Sequence, residues 1–493
     1  MASHLILPIA LPMLTGALML FISNRHCQRW VAFAGACALL ASAIAVAVTV
    51  HTDGIQVLHA GSWAAPFGIV LVADRLSSIL LVAVGVVGVA ATAFAFAGVD
   101  PRRESAGYHP VMMVLMMGVS GAFLTGDLFN LYVWFEVMLV ASFVLMALYR
   151  NRTQIRAAFT YVTLNLLAST ILLTVLGLLY GKTGTLNLAD LSQQWSTGDL
   201  PPLHLPMGAL FFTAFGIKAA LFPWFSWLPA SYHAPPAAVA AIFAGLLTKV
   251  GVYSMFRVFT LLFRDVPPSA PSFVLLLSVV TMVVGVTCAL TQRDLRRVLS
   301  FNLVGHIGFT TMGLGLATSA GLAGSLLYVF HHILAITNLY LIAGIFLRMR
   351  RTSELDRLGS MYRAHPYVSL LALVPLFALA GVPPLSGAIA KIALVQAAFA
   401  AGAYWAGGIA LLVSLLSLLS IARVWDAAFW KPAPEDPPPA LPSWKQLVPI
   451  GGLTALTLAF TVAAGPLTEL TTTIASDLLE PDAYIRAVLD ETE

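Results

Sequence analysis

Residues 216–253 read GIKAALFPWFSWLPASYHAPPAAVAAIFAGLLTKVGVY, an apolar stretch that nevertheless holds Lys218 and Lys249, each with roughly a dozen mostly nonpolar neighbours on either side. The rest of the chain explains the apolar background. Of its 493 residues 59% are hydrophobic and 10% charged, and the mean hydropathy is +0.89, outside the range of a water-soluble domain. The chain therefore reads as an integral membrane protein, and the two lysines become the question its function has to answer.

About 20 apolar residues cross roughly 30 Å of hydrocarbon. Fourteen such runs lie near 4–23, 29–49, 74–97, 109–126, 128–150, 159–181, 207–228, 236–260, 271–290, 300–317, 322–347, 368–398, 405–427 and 448–464. Thirteen or fifteen remain open, because Gly126 and Asp127 barely separate the fourth and fifth runs and GVPPLSG (381–387) interrupts the twelfth. Helices satisfy their backbone polar groups internally, and these runs are far longer than barrel strands, so the expected fold is an all-α polytopic bundle. The N-terminus lacks a basic n-region and a small-residue cleavage site, so 4–23 is expected as a retained span.

Basic residues set the expected orientation. Loops after odd-numbered spans hold 18 of the 26 lysines and arginines, and the opposite side holds five, Arg75, Lys182, Arg257, Arg264 and Arg486. The basic side faces the cytoplasm, which places both termini outside. The three cysteines, Cys27, Cys37 and Cys288, have neither CxxC spacing nor histidine partners, which argues against an iron–sulfur cluster, a zinc site or a disulfide framework. Loops are too short for a soluble nucleotide or flavin domain, so no cofactor and no metal is expected. The longest irregular stretches are 50–73, 182–206 and 430–446, the last containing the stiff connector PAPEDPPPALP (432–442). The final 28 residues carry seven acidic side chains and Arg486 and are expected to form a solvated external tail or a docking surface.

Lys218, Lys249 and Lys391 remain, together with Glu136 in FNLYVWFEVMLVAS (129–142), the acidic residue well within a span. Each charge at depth costs about 2.5 to 3.5 kcal/mol and by default marks an ion path. At about 1.5 Å per residue, all four lie roughly 10 to 16 Å inside their spans, as do His331 and His332. Titratable groups at one level on several helices describe a row parallel to the membrane plane, which suits proton relay. A neighbouring carboxylate such as Glu136 favours the charged form of a desolvated lysine such as Lys218. A buried pair that only fixes packing is the plainer reading, but it leaves two lysines unexplained. His306 and His233 lie near the inner half or inner loop, where they are either hydrogen-bonding groups or proton inlets.

Pro223 and Pro229 follow Lys218, while Pro383 and Pro384 precede Lys391, and proline disrupts the turn before it. Broken helices at corresponding places of two repeats point to a transport site. The breaks lie five spans apart, so spans 4–8 and 9–13 are expected to be two inverted five-helix repeats with broken helices 7 and 12. The chain then divides into 1–108 (spans 1–3), 109–260, 271–427 and 428–493 (connector, span 14 and tail).

KAALFPWFSWLPASYHAPPAAVAAIFAGLLTKVGVY, the Glu136 span, HHILAITN (331–338) and GVPPLSGAIAK (381–391) together resemble the antiporter-like subunit family. That family is shared by proton-pumping NADH:quinone oxidoreductase, membrane-bound hydrogenases and Mrp multisubunit cation/proton antiporters. The likeness covers almost the whole chain. WLPASYHAPPAAVAAIFAGLLTKVGVY and TGTLNLADL (183–191) lie nearest the D-type branch of the Mrp antiporters. The resemblance implies a fourteen-helix fold with inverted repeats, in which Glu136, Lys218, Lys249, His331 or His332, and Lys391 take the family's charged positions on helices 5, 7, 8, 11 and 12. It also implies a transporter subunit of a bacterial inner membrane rather than an enzyme. Its partners would be A-, B-, C-, E-, F- and G-type subunits and membrane lipid, its ions protons and Na+, and no nucleic acid is involved. M-type oxidoreductase subunits usually carry glutamate where Lys391 stands. An N-type or M-like pumping subunit, a hydrogenase subunit and a non-transporting scaffold stay open as alternatives.

Overall fold

The computed structural model describes residues 3–148, 151–197, 203–264, 266–432 and 441–489. Helices occupy every expected span position. They are α1 Leu7–Leu20, α2 Arg25–Asp53, α3 Arg75–Gly98, α4 Tyr108–Leu124, α5 Leu128–Ala147, α6 Arg152–Thr183, α7a His204–Ala219 with α7b Trp227–Ser231, and α8 Ala237–Leu261. The second half follows with α9 Ser269–Thr291, α10 Leu295–Leu316, α11 Ser319–Arg350, α12a Pro366–Ala380 with α12b Ser386–Ala400, α13 Tyr404–Trp425 and α14 Trp444–Val462. Among the described residues ten helices are long and apolar enough to cross a membrane, and four shorter apolar ones accompany them. α6 and α10 begin earlier than the apolar runs indicate, at Arg152 and Leu295, because each has a polar first turn capped by a side chain. Asn151 accepts from Gln154 N at 2.7 Å and Asp294 from Arg297 N at 3.0 Å, satisfying donors that every helix start leaves open.

The internal repeat is visible in hydrogen bonds. Leu128 N donates to Leu186 O and Leu188 N to Gly126 O, each at 2.9 Å; Leu295 N donates to Ser353 O and Leu355 N to Arg293 O, each at 2.8 Å. The second set repeats the first at a displacement of 167 residues. Asp127 and Asp294 cap α5 and α10 at equivalent places. In both halves a short bridge thus ties the start of one helix to the segment leaving the next.

Helices 7 and 12 are broken as the prolines require. α7a ends at Ala220 in the left-handed conformation, φ 63°, and α12a ends at Gly381, φ 85°. α8 runs directly against the first break, because Gly251 has no side chain: a Cβ there would stand 2.7 Å from Ala219 N and 3.0 Å from Lys218 C. Gly251→Val is expected to cost about 1–3 kcal/mol through overpacking, read as a lower unfolding midpoint of the purified chain, with Gly251→Ala falling less; an unchanged midpoint in both would contradict this close approach.

Three regions differ from the expectation, the first being 182–206, where Leu188–Thr197 is helical. Part of the 50–73 stretch is an antiparallel hairpin, β1 Gln56–His59 with β2 Val70–Ala73. The acidic C-terminus is not a solvated tail, at least as far as residue 489. α15 Ala464–Leu479 and α16 Asp482–Leu489 fold back, burying Ile474, Leu478, Tyr484 and Val488, and Asp477 pairs with Arg75 at 2.7 Å. The apolar residues recur at helical spacing between the acidic ones, so one face is available for packing. Most of the proline-rich connector lies outside the described residues.

Candidate functional site

Lys218 sits one residue before the end of α7a and is buried, 6% exposed. Its Nζ donates to Ser169 Oγ of α6 at 3.0 Å and lies 4.6 Å from the centre of the Phe135 ring. A hydroxyl and an aromatic face solvate an ammonium only partly. Glu136, next to Phe135 on α5, is within electrostatic range of Lys218 but makes no ion pair with it within 4.0 Å among the described residues. Glu136 Oε1 is buried and has no hydrogen-bond partner among the described residues. Beside Lys218, Tyr161, Asn165 and Trp227 close a cavity of about 20 Å³, enough to hold one water.

Lys249 stands two residues past a π-turn in α8, Phe243–Leu247. Its Nζ, fully enclosed, donates to Ala244 O inside that turn at 2.7 Å and to Thr248 Oγ1 at 3.3 Å. The distortion therefore supplies the acceptor. Single π-turns inside α-helices recur at functional sites because they re-aim backbone groups in this way.

The second half assembles a tighter cluster. His306 Nδ1 hydrogen-bonds the Tyr328 hydroxyl, and the His306 and His332 rings lie 5.1 Å apart. His331 Nδ1 pairs with Ser386 Oγ at 2.8 Å, at the start of α12b. Among the described residues both ring nitrogens of His332 are buried without a partner, as is Nε2 of His331 and of His306. Lys391 reaches from α12b across the break, donating to Ala380 O at 2.9 Å and Leu379 O at 3.4 Å, with Phe309 5.1 Å away. Those carbonyls end α12a, where unsatisfied acceptors and the helix dipole favour a cation. Gly381 permits the approach, since a Cβ there would stand 2.8 Å from Lys391 Cδ.

The structure thus brings His306, His331, His332 and Lys391 into one cluster. Lys218 and Lys249 stand in separate hydrogen-bonded nests with no direct protein hydrogen bond between them among the described residues. His233 stands apart: it is half-buried, pairs with Pro229 O at 3.0 Å and lies near Asp294, Arg296 and Arg297 at the start of α10, about three turns from His306. Burial and the neighbouring arginines hold its imidazole below the ordinary histidine range, against the pull of the Pro229 carbonyl and Asp294.

Sequence reasoning did not identify Ser169, Tyr328 and Ser386, the hydroxyls that hold Lys218, His306 and His331. Serine and tyrosine are ordinary in apolar helices and carry no spacing signal. It also counted Arg257 among outer-surface cations, whereas Arg257 is buried and bonds Asp74 at 2.5 Å. An arginine two turns beyond Lys249 on the same span was the available hint.

Fold and site together define a multi-pass membrane protein of inverted-repeat architecture, with ionisable side chains lodged at helix breaks and at a π-turn. Residues 125–418 match the family described as NADH:quinone oxidoreductase/Mrp antiporter, transmembrane, and the chain belongs to that family. It is 39% identical over 493 residues to the D-type subunit of a Na(+)/H(+) antiporter of Alkalihalophilus pseudofirmus, with all of both chains covered. It is 36% identical over 494 residues to the corresponding Na(+)/H(+) antiporter D-type subunit of Bacillus subtilis, again over the full length of both. A chain in the solved Mrp complex from a Dietzia species superposes with a TM-score of 0.91 at 30% identity, covering 99% of this chain and all of that one.

Proposed function

We propose that this chain is the D-type, proton-translocating subunit of a multisubunit Na+/H+ antiporter. It moves protons among Glu136, Lys218, Lys249, the histidines and Lys391, and couples them electrostatically to cation movement elsewhere in the assembly. The observation that carries the reading is the cluster of His306, His331, His332 and Lys391 buried around the α12 break. Imidazole nitrogens without fixed partners among the described residues, beside an amine held by two backbone carbonyls and the Phe309 ring, are groups that can take and release protons. Full-length likeness to the D-type antiporter subunits supports the two ions assigned and the company of other subunits. Repeat units at 109–260 and 271–427, and an orientation with the arginine-rich end cytoplasmic and both termini outside, belong to the same reading.

In this scheme Lys391 is the last group of the row, Glu136 tunes Lys218, and His306 joins the path through Tyr328. His233 acts at the arginine-rich end as an inlet rather than within the row. The test is exchange in inverted vesicles by the assembled complex carrying Lys391→Ala. Removal of an obligatory proton-transfer group should lower Na+-dependent proton exchange by on the order of 10²-fold, with the subunits still co-purifying. Wild-type exchange in that variant would overturn the reading. Co-purification of flavin or iron–sulfur subunits would assign the chain to an oxidoreductase instead.

A further inference from the structure

Around the α7 break, the π-turn of α8 and the arginine-rich half of α11, two enclosed hydroxyls have no hydrogen-bond partner among the described residues. One is Tyr232, just past α7b, fully buried, with its ring against Trp227 and Phe243 at centroid distances of 5.7 and 5.6 Å. The other is Thr337 of α11, also fully buried, whose Oγ1 lies against Gly245 of the π-turn. A buried hydroxyl left unsatisfied costs about 1–3 kcal/mol, and a water shared with other polar groups removes that cost.

Two tyrosines lie within electrostatic range of Tyr232, Tyr161 of α6 and Tyr340 of α11. Each is tied to a serine, Tyr161 to Ser142 Oγ at 2.7 Å and Tyr340 to Ser300 Oγ at 2.8 Å. Each serine donates its own proton to a carbonyl one turn back, Met138 O at 2.6 Å and Arg296 O at 2.7 Å. The tyrosines therefore donate to the serines, and their oxygens keep lone pairs open to accept. The two tyrosines lead to different places. Tyr340 is within range of Arg296 and Asp294 at the start of α10, and Arg296 lines an open cavity of about 370 Å³ that admits water. Tyr161 lines the small cavity beside Lys218 and is within range of Glu136. Displaced by the 167 residues of the repeat, Tyr161 corresponds to Tyr328, whose hydroxyl holds His306.

We propose that Tyr232 is a proton-relay residue joining the arginine-rich end of the bundle, by way of Tyr340, to the Lys218 cavity, by way of Tyr161. The proposal rests on the proton-translocating reading above. In each transfer the Tyr232 oxygen accepts a proton from a water on the Tyr340 side while its own O–H bond breaks and that proton passes to a water on the Tyr161 side. No charge stays on the ring, and rotation of the hydroxyl resets it.

The experiment compares Tyr232→Phe with the wild type in the assembled complex, in inverted vesicles. Phenylalanine keeps the ring and removes only the hydroxyl. Maximal Na+-dependent proton exchange should fall by on the order of 10²-fold, while the Na+ concentration for half-maximal exchange stays at its wild-type value, because the cation path is untouched. The residual exchange should slow more in D2O than wild-type exchange does, as proton entry becomes limiting. Tyr340→Phe should reproduce the loss, which keeps the test decisive if Tyr232→Phe fails to assemble. Radiolytic hydroxyl labelling of the wild-type complex, read by mass spectrometry, should mark Tyr232 despite its burial, since bound water is the source of the radical. Wild-type exchange in both tyrosine variants, with Lys391→Ala inactive, would overturn the relay and leave the transport reading in place. Wild-type exchange in Lys391→Ala would overturn the transport reading and the relay with it. A loss of exchange in Tyr232→Phe with an unchanged isotope effect and a shifted Na+ half-saturation would make Tyr232 a packing residue and overturn the relay as well.

Discussion

Exchange is expected to fall by on the order of 10²-fold or more when Lys218 is replaced by alanine, with the assembled complex still recoverable from the membrane. The reason is local. Lys218 Nζ has one hydroxyl, Ser169 Oγ, and one aromatic face, Phe135, a sparse environment for a cation. On the proposed path alanine removes the proton carrier, and Ser169 can bond a carbonyl one helical turn back, so the fold should survive. Lys218→Arg separates a relay from a structural cation. Arginine keeps its charge at all accessible pH and cannot release its proton, so exchange should stay lost although a positive charge is retained. Glu136→Ala should be nearly as damaging, because it removes the carboxylate next to Phe135, whose Oε1 is buried. If exchanging the two residues, Glu136→Lys with Lys218→Glu, restored transport, the row would be a packing device and the proton path would have to be abandoned.

The second large effect concerns stability. Arg257 and Asp74 form a buried ion pair at 2.5 Å, with the Arg257 guanidinium also over the Tyr253 and Tyr484 rings. Removing one partner of such a pair strands a buried charge and costs about 3–5 kcal/mol. Asp74→Ala and Arg257→Ala should each lower the unfolding midpoint markedly, whereas the double replacement should cost less than the two singles summed. Strict additivity would show that the pair contributes nothing as a pair. The pH dependence has a definite sign. Burial alone raises the Asp74 carboxyl, but Arg257 and the Ser77 hydrogen bonds outweigh it and hold the group below the usual carboxylate range. A depressed folded value stabilises the fold above the unfolded carboxylate pKa of about 3.9. That contribution is lost as pH falls through the lower folded value. The Asp74→Asn variant should therefore show a shallower acid decline than the wild type.

This pair also fastens the chain's end. Tyr484 belongs to α16, the helix that the acidic composition had suggested would be solvated, and it stacks on the arginine that Asp74 orients. Charge counting treats Arg257, Asp74 and the terminal carboxylates as surface groups, because composition carries no information about which of them meet. Asp74 and Arg257 are 183 residues apart, and only the packed bundle makes them neighbours.

The buried lysines were legible in a different way. A lysine in the middle of an apolar run is expensive wherever the run ends up, so Lys218, Lys249 and Lys391 announced themselves without any knowledge of packing. The same held for the breaks at Pro223 and at Pro383 and Pro384, since proline cannot complete a helical turn in any tertiary context. The place of His306 was not legible. A histidine costs little in a helix, and nothing in NLVGHIGF tells that its ring will face His332 and Tyr328 across from another span. Nor does the sequence say that a π-turn will give Lys249 its carbonyl.

From its sequence alone this protein is a polytopic helical membrane chain with a doubled architecture, two interrupted helices and a set of ionisable groups held at depth. Those conclusions follow from the hydrophobic effect and from backbone chemistry, which act on each segment separately. The tertiary structure alone decided which hydroxyls, carbonyls and rings surround each charge, how the histidines converge on Lys391, and where the acidic end docks. Many of these contacts join residues tens to hundreds of positions apart, among them Lys218 with Ser169, His331 with Ser386 and Arg257 with Asp74, and the free energy of a buried polar group depends on the partners it meets rather than only on its neighbours along the chain.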